Sequence, residues 1–199
     1  HYTNRVRRRD VTHMEVEIKL AVSDVAGLRR QLNRLGFHVR RRRHFEDNLL
    51  LDTDTQALRR RGAMLRLRMV AGQPSLTFKE KARLSPHYKV RREQETRVAI
   101  VEAVRGILGS LGYKPAFRYQ KYRTVFVRPK QPGELTVDET PIGTFVELEG
   151  SRRWIREVAN ALGYRPTEFI TATYAELYQA WRRRHGGPRL QMVFRKQRA

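Results

Sequence analysis

The sequence predicts an α+β domain in which about eight strands form an antiparallel sheet that closes or nearly closes, with few helices beside it. Three observations predict this. Short stretches that alternate apolar and charged residues recur through most of the 199 residues, as half-buried strands require. Only four segments carry helical spacing. Pro/Gly turns join strand directly to strand at Gly72–Pro74 and again between Ala116 and Glu149, the connectivity of an antiparallel sheet.

Glu15 to Leu20 alternates strictly and reads as the first strand. Ser23 is placed to cap a helix carrying Val25, Leu28, Leu32 and Leu35, which Gly36 ends with a left-handed residue before Phe37. A strand-like stretch follows to about Leu51, and Asp52–Thr55 is a turn. Ala63 to Met69 and Ser75 to Lys81 alternate again, and Arg91–Ile100 is strand-like. A helix with Val104, Ile107, Leu108 and Leu111 ends at Gly112 and Tyr113. Ala116–Val127, Leu135–Asp138 and Thr144–Glu149 read as strands, Trp154–Leu162 as a helix stopped by Gly163 and Tyr164, and Thr171–Trp181 as a last helix. Three times, then, a Glu-x-Glu strand leads into a helix closed by Leu-Gly-aromatic, a weak repeat that an ordinary helix stop explains equally well.

Composition narrows the class. The chain has 42 Lys+Arg against 20 Asp+Glu, a formal charge of +22, so a polyanionic partner is expected. With 40 % apolar residues it is a folded chain, and without cysteine it has no disulfide frame, no thiol chemistry and no Cys-ligated zinc. It has no run long enough to span a membrane and no signal-peptide core, so a cytoplasmic protein with no membrane partner is expected. Residues 1–13, at +3, and 182–199, with seven basic residues and no acidic one, read as basic extensions, expected to be mobile, around a patterned domain at 14–181. Met14 is the expected native start.

Residues at i and i+2 of a strand share a face. Charged pairs at that spacing are Glu15/Glu17 with Lys19, Arg66/Arg68, Lys79/Lys81, Glu93/Glu95, Lys121/Arg123 and Glu147/Glu149. Any one of them suits a solvated sheet face. Six on successive strands suit a closed sheet whose apolar faces pack outward and whose charges line the lumen. Basic groups there call for a polyanion, and carboxylates beside them call for a divalent cation shared with it, because Mg²⁺ binds through one or two carboxylates plus phosphate oxygens.

At this point the chain resembles the CYTH superfamily, the triphosphate tunnel metalloenzymes. Glu15-x-Glu17-x-Lys19 looks like the family signature, followed in family order by Leu65 to Arg68, Leu76 to Lys79, Arg92-Glu93-x-Glu95, Lys121-x-Arg123, Asp138 and Phe145 to Glu149. The match runs from Met14 to about Trp181. It implies an eight-stranded antiparallel closed barrel, a tunnel with helices outside. It further implies that Lys19, Arg66, Arg68, Lys79, Lys81, Lys121 and Arg123 grip the phosphates, with Lys79, Lys121 and Glu147 as the catalytic group. Glu15, Glu17, Asp138, Glu147 and Glu149 would hold Mg²⁺ or Mn²⁺, and Arg92, Glu93 and Glu95 would form tunnel-wall pairs. The implied substrate is ATP, tripolyphosphate or thiamine triphosphate. Asn48 to Leu51 departs from the Tyr-rich stretch of thiamine triphosphatases, and this segment with Lys89–Glu95 and Phe117–Arg123 is more similar to the class IV adenylate cyclase-like subgroup. Cyclisation of ATP and hydrolysis of a triphosphate use the same tunnel, and both are carried forward. A homodimer is compatible with the pattern.

The remaining motifs carry less. The six His have no metal-ligand spacing, no Gly-rich phosphate loop is present, and Arg40–Arg43 reads as a solvated edge or as ion-pair partners. Tyr174, Tyr178 and Trp181 read as packing, with Tyr174 positioned to close one tunnel mouth. A nucleic-acid-binding module explains the +22 and the basic ends but not the paired carboxylates. An enzymatic core with ends that bind polyanions nonspecifically satisfies both.

Overall fold

The structure, a computed structural model, describes residues 12–85 and 87–195. Eight strands close into a barrel: β1 (Thr12–Val22), β2 (His38–Asp52), β3 (Met64–Val70), β4 (Gln73–Lys79), β6 (Lys89–Arg97), β7 (Lys114–Val127), β8 (Glu134–Thr140) and β9 (Gly143–Glu149). Two further strands, β5 (Arg83–Leu84) and β10 (Gln191–Met192), are only two residues each. Around the barrel the order is β1-β9-β8-β7-β2-β3-β4-β6, and β6 pairs back onto β1 to close it. Every pairing among these eight is antiparallel.

The apolar rows face outward. Ile18, Leu20, Leu135, Val137, Val146 and Leu148 pack beneath helices α1 (Val25–Arg34) and α4 (Arg152–Ala161), which contribute Leu28, Leu32, Trp154, Ile155 and Val158. The opposite flank, with Leu49, Leu51, Leu65 and Phe78, is covered by the short α2 (Ala57–Arg60) through Leu58 and by α3 (Val101–Ser110) through Leu108. Helix α5 (Tyr174–His185) lies across one barrel end, where Tyr174 and Tyr178 meet Phe117, Tyr119, Phe145 and Met192. An apolar exterior under helices leaves the interior to the charged rows.

The three helix stops are one motif. Leu35, Leu111 and Leu162 cap ten-residue helices and are each followed by a glycine at positive φ (76°, 87° and 89°). The next aromatic donates its N–H five residues back, Phe37 to Leu32, Tyr113 to Leu108 and Tyr164 to Ala159, each at 2.9 Å. That is a Schellman closure, which requires a left-handed residue where glycine stands.

Several local expectations shift. The cap of α1 is Asp24, not Ser23, because the Asp24 carboxylate accepts from the Gly27 N–H at 2.8 Å. On α3 half of the expected stripe turns outward: Val104 and Leu108 are half-buried, but Ile107 is 61 % and Leu111 65 % exposed. Helical spacing marks a stripe, but Leu58 and Tyr113 already cover the sheet flank that would have received it. Residues 182–195 include regular structure. Helix α5 runs on to His185, and β10 adds in parallel to β7 at Arg118 and Tyr119, burying Met192. The extension at 1–13 falls almost wholly outside the described residues. No described helix is long and apolar enough to cross a membrane.

Candidate functional site

The barrel interior is a cavity of about 330 Å³. Eight cations line it, Lys19, Arg66, Arg68, Lys79, Lys89, Arg91, Lys121 and Arg123, with seven carboxylates, Glu15, Glu17, Glu93, Glu95, Glu134, Glu147 and Glu149. Strand register brings them together. Glu17 stands opposite Glu149 and Lys19 opposite Glu147 on β1 and β9, Lys79 opposite Glu93 on β4 and β6, and Arg123 opposite Asp138 on β7 and β8.

Three linked groups form. In the first, Lys79 Nζ lies 2.7 and 2.8 Å from the Glu15 carboxylate oxygens and 2.6 Å from Glu93, while Arg91 spans Glu15 at 3.2 Å and Glu17 at 3.3 Å. In the second, Asp138 receives Lys121 at 2.8 Å, Arg123 at 2.6 Å and the Tyr174 hydroxyl at 2.7 Å, and Lys121 also faces the buried Glu46 at 3.7 Å. Glu147 joins the two groups, pairing with Arg123 and lying 3.4 Å from Lys19. The third sits on β3, where Arg68 holds Glu95 at 3.0 Å and Arg66 reaches Thr77 at 3.3 Å.

Protonation follows from this crowding. Burial favours a neutral carboxyl everywhere in the lumen. At Glu17 the ammonium groups of Lys19 and Lys79 outweigh burial and hold it ionised below the usual carboxylate range, and Arg123, Lys121 and Lys19 do the same for Glu147. Glu15 and Glu149 go the other way. Burial, then the negative charge of Glu17, raises Glu15; burial, then Glu15 and Glu17, raises Glu149 to about 8. Four carboxylates at the β1–β9 junction therefore do not all ionise with the lumen's own cations. A further cation would let them, and Glu15, Glu17, Glu147 and Glu149 are the residues that could hold it. Among the described residues no three His, Asp or Glu side chains are preassembled as a metal site.

Most expected residues line the cavity; three do not. Lys81 is exposed, because β4 ends at Lys79 and strand alternation stops there. Arg92 points outward toward Glu80, 3.9 Å away, since β6 turns Lys89, Arg91, Glu93 and Glu95 inward instead. Asp138 lies on the inward row of β8 but is fully buried beneath its partners, both oxygens engaged by Lys121, Arg123 and Tyr174.

Residues that sequence reading passed over also face inward. Lys89 and Arg91 continue the i, i+2 row of Glu93/Glu95 and were legible in it. Lys89 Nζ makes no hydrogen bond, and burial followed by the charge of Lys19 lowers its pKa to about 8, although Glu17 lies 3.6 Å away. Asn48 is fully buried, shares a face with Arg68 and Tyr119, and has no partner for either amide atom.

Comparison with known proteins agrees with this architecture. A family model described as the CYTH domain matches residues 13–166. A Methanocaldococcus jannaschii protein named as a candidate adenylate cyclase is 27 % identical over 175 residues, 82 % of this chain and 98 % of that one. Among solved structures, a candidate adenylate cyclase of Vibrio parahaemolyticus superposes with a TM-score of 0.71 at 18 % identity, covering 84 % of this chain and 98 % of that one. A candidate adenylyl cyclase of Hippeastrum described as having a dominant triphosphatase activity gives 0.63 at 19 % identity, covering 84 % and 96 %.

Proposed function

Since the chain belongs to the CYTH domain family, we propose that it is a metal-dependent enzyme that takes a triphosphate into the barrel and hydrolyses it. One observation carries the reading: a cavity of about 330 Å³ walled by cations and carboxylates almost all round, with α5 and its aromatic neighbours across one end. That space suits a phosphate chain and offers little apolar surface to a base.

Arg66, Arg68, Lys79, Arg91, Lys121 and Arg123 would bind the phosphates. Each would exchange a carboxylate partner for a phosphate oxygen, a charge-assisted bond in a water-poor lumen. Glu15, Glu17, Glu147 and Glu149 would hold Mg²⁺ or Mn²⁺, which supplies charge neutralisation shared between phosphate oxygens. Asp138 orients Lys121 and Arg123, and Tyr174 holds Asp138 in turn. Hydrolysis needs a water directed at the terminal phosphorus, with its proton removed as orthophosphate leaves. Lys89, buried in the lumen and without a hydrogen bond on Nζ, is a group free to move that proton.

A second reading is favoured by the naming of the Methanocaldococcus relative. In it the 3′-hydroxyl of ATP attacks the α-phosphorus, cyclic AMP forms and pyrophosphate leaves. The test is phosphorus NMR of the purified chain with Mg²⁺ or Mn²⁺ and, in turn, tripolyphosphate, ATP and thiamine triphosphate. Orthophosphate release is the expected result. Cyclic AMP with pyrophosphate from ATP selects the second reading, and a folded protein that yields none of these products overturns both.

A further inference from the structure

The lumen does not hold the charge excess. Its eight cations face seven lining carboxylates plus the buried Glu46 and Asp138, a formal balance of −1. The other 34 basic and 11 acidic residues of the chain therefore carry the whole excess and one unit more. A tunnel substrate leaves that charge unanswered.

One outer patch adds aromatic surface to it. Phe45 of β2, Tyr122 of β7 and Phe194, just past β10, lie 45, 122 and 194 residues along the chain, and the fold brings their rings into one row. Phe45 and Tyr122 centroids are 5.3 Å apart, Tyr122 and Phe194 5.2 Å. Phe45 is 39 % exposed. Arg43 lies 3.6 Å above the Tyr122 ring and bonds Glu139 at 2.9 Å. Next to it in the chain Arg42 is exposed. Arg195 is exposed next to Phe194, and Lys196 and Arg198 follow in sequence.

We propose that this face binds single-stranded nucleic acid, its bases stacking from the open side of Phe45 and its phosphates meeting Arg42 and Arg195. Stacking on aromatic rings alongside a basic track is how unpaired strands are held without sequence preference. A duplex hides its bases from such rings, and a polyanion without bases gains nothing from them. The proposal is independent of the tunnel reaction.

Fluorescence anisotropy of the full chain with a labelled oligothymidylate, in metal-free buffer, tests it. Binding is expected to weaken steeply as salt rises. The charge reversal Arg42→Glu should weaken it about fivefold or more. Phe45→Leu, which keeps apolar bulk but removes the ring, should weaken it about fivefold, the order of one lost stacked base. Heparin binding should be unmoved by Phe45→Leu, and tunnel turnover should be unmoved in both variants, whose circular dichroism reports intact fold. Oligothymidylate affinity indifferent to either variant overturns the proposal. So does heparin binding that loses as much as oligothymidylate in Phe45→Leu.

Discussion

The Tyr174 hydroxyl donates to Asp138 at 2.7 Å, and this bond ties α5 to Lys121 and Arg123, the two lumen cations that Asp138 holds. The helix across the mouth and the charge lattice of the wall are thereby one unit. Both partners are buried, and burial, then the Asp138 charge, raises the Tyr174 pKa so that the phenol stays a donor.

Replacing Tyr174 with Phe removes that donor and keeps the ring against Tyr119 and Phe145. A buried hydrogen bond to a charged acceptor contributes about 1.5–3 kcal/mol, so thermal unfolding should shift down accordingly. If Asp138 positions the phosphate-binding pair, kcat should fall several-fold. An unchanged kcat in a destabilised variant would restrict Tyr174 to packing.

Glu147→Gln tests the carboxylate set. Glu147 pairs with Arg123 and Lys19, yet Arg123 keeps Asp138 and Lys19 keeps Glu17 at 3.7 Å, so neutralising Glu147 strands neither cation. The fold is therefore expected to survive while metal-dependent phosphate release drops a hundredfold or more. Circular dichroism and phosphate release on the same preparation check the two halves. Wild-type turnover would remove Glu147 from the catalytic group.

The faces of the lumen were legible wherever strand alternation is unbroken. Glu15, Glu17, Arg66, Arg68, Lys121, Arg123 and Glu147 all lie on the inward rows that i, i+2 spacing assigns. The same parity excludes Arg92 and demands Arg91 and Lys89. Glu46 and Asn48 were not legible. β2 shifts register against β7 between Val39 and Arg41 and between Arg41 and His44, and such irregularities hide which face a later residue takes. β10 was not legible either, since two residues have no period, and Met192 is buried by contacts from distant sequence.

Glu46 should contribute to acid sensitivity alongside Glu17 and Glu147. Burial would raise the Glu46 pKa, but Lys121 and Arg123, with the His44 hydrogen bond, hold it well below 4.5. A folded-state pKa below the unfolded value contributes stability above the unfolded pKa and loses it as pH falls through the folded one. The protein should therefore keep this contribution near neutrality and lose it progressively below about pH 4. Glu46→Gln should cost about 3 kcal/mol at neutral pH, the lower range for breaking a buried pair, because Lys121 retains Asp138. Urea titrations across pH should show a shallower acid decline in the variant; a parallel decline would assign it to other carboxylates.

Metal and polyphosphate should stabilise the protein together more than separately. In the lumen each side is the other's counter-ion: Lys79 holds Glu15 and Glu93, and Arg123 holds Asp138 and Glu147. A triphosphate arriving alone draws the cations and leaves carboxylates facing its own charge. A divalent ion arriving alone has to displace lysines from the glutamates. Arriving together, phosphate takes the cations and the ion takes the carboxylates, so no lumen charge loses its partner. Tight binding at a hundredfold excess over Kd stabilises by about 2.7 kcal/mol. Melting curves with Mg²⁺, with a non-hydrolysable triphosphate analogue, and with both should show a combined shift larger than the two single shifts added. Strict additivity would mean that the ions bind without exchanging partners, and the linked carboxylate and phosphate sites would fall with it.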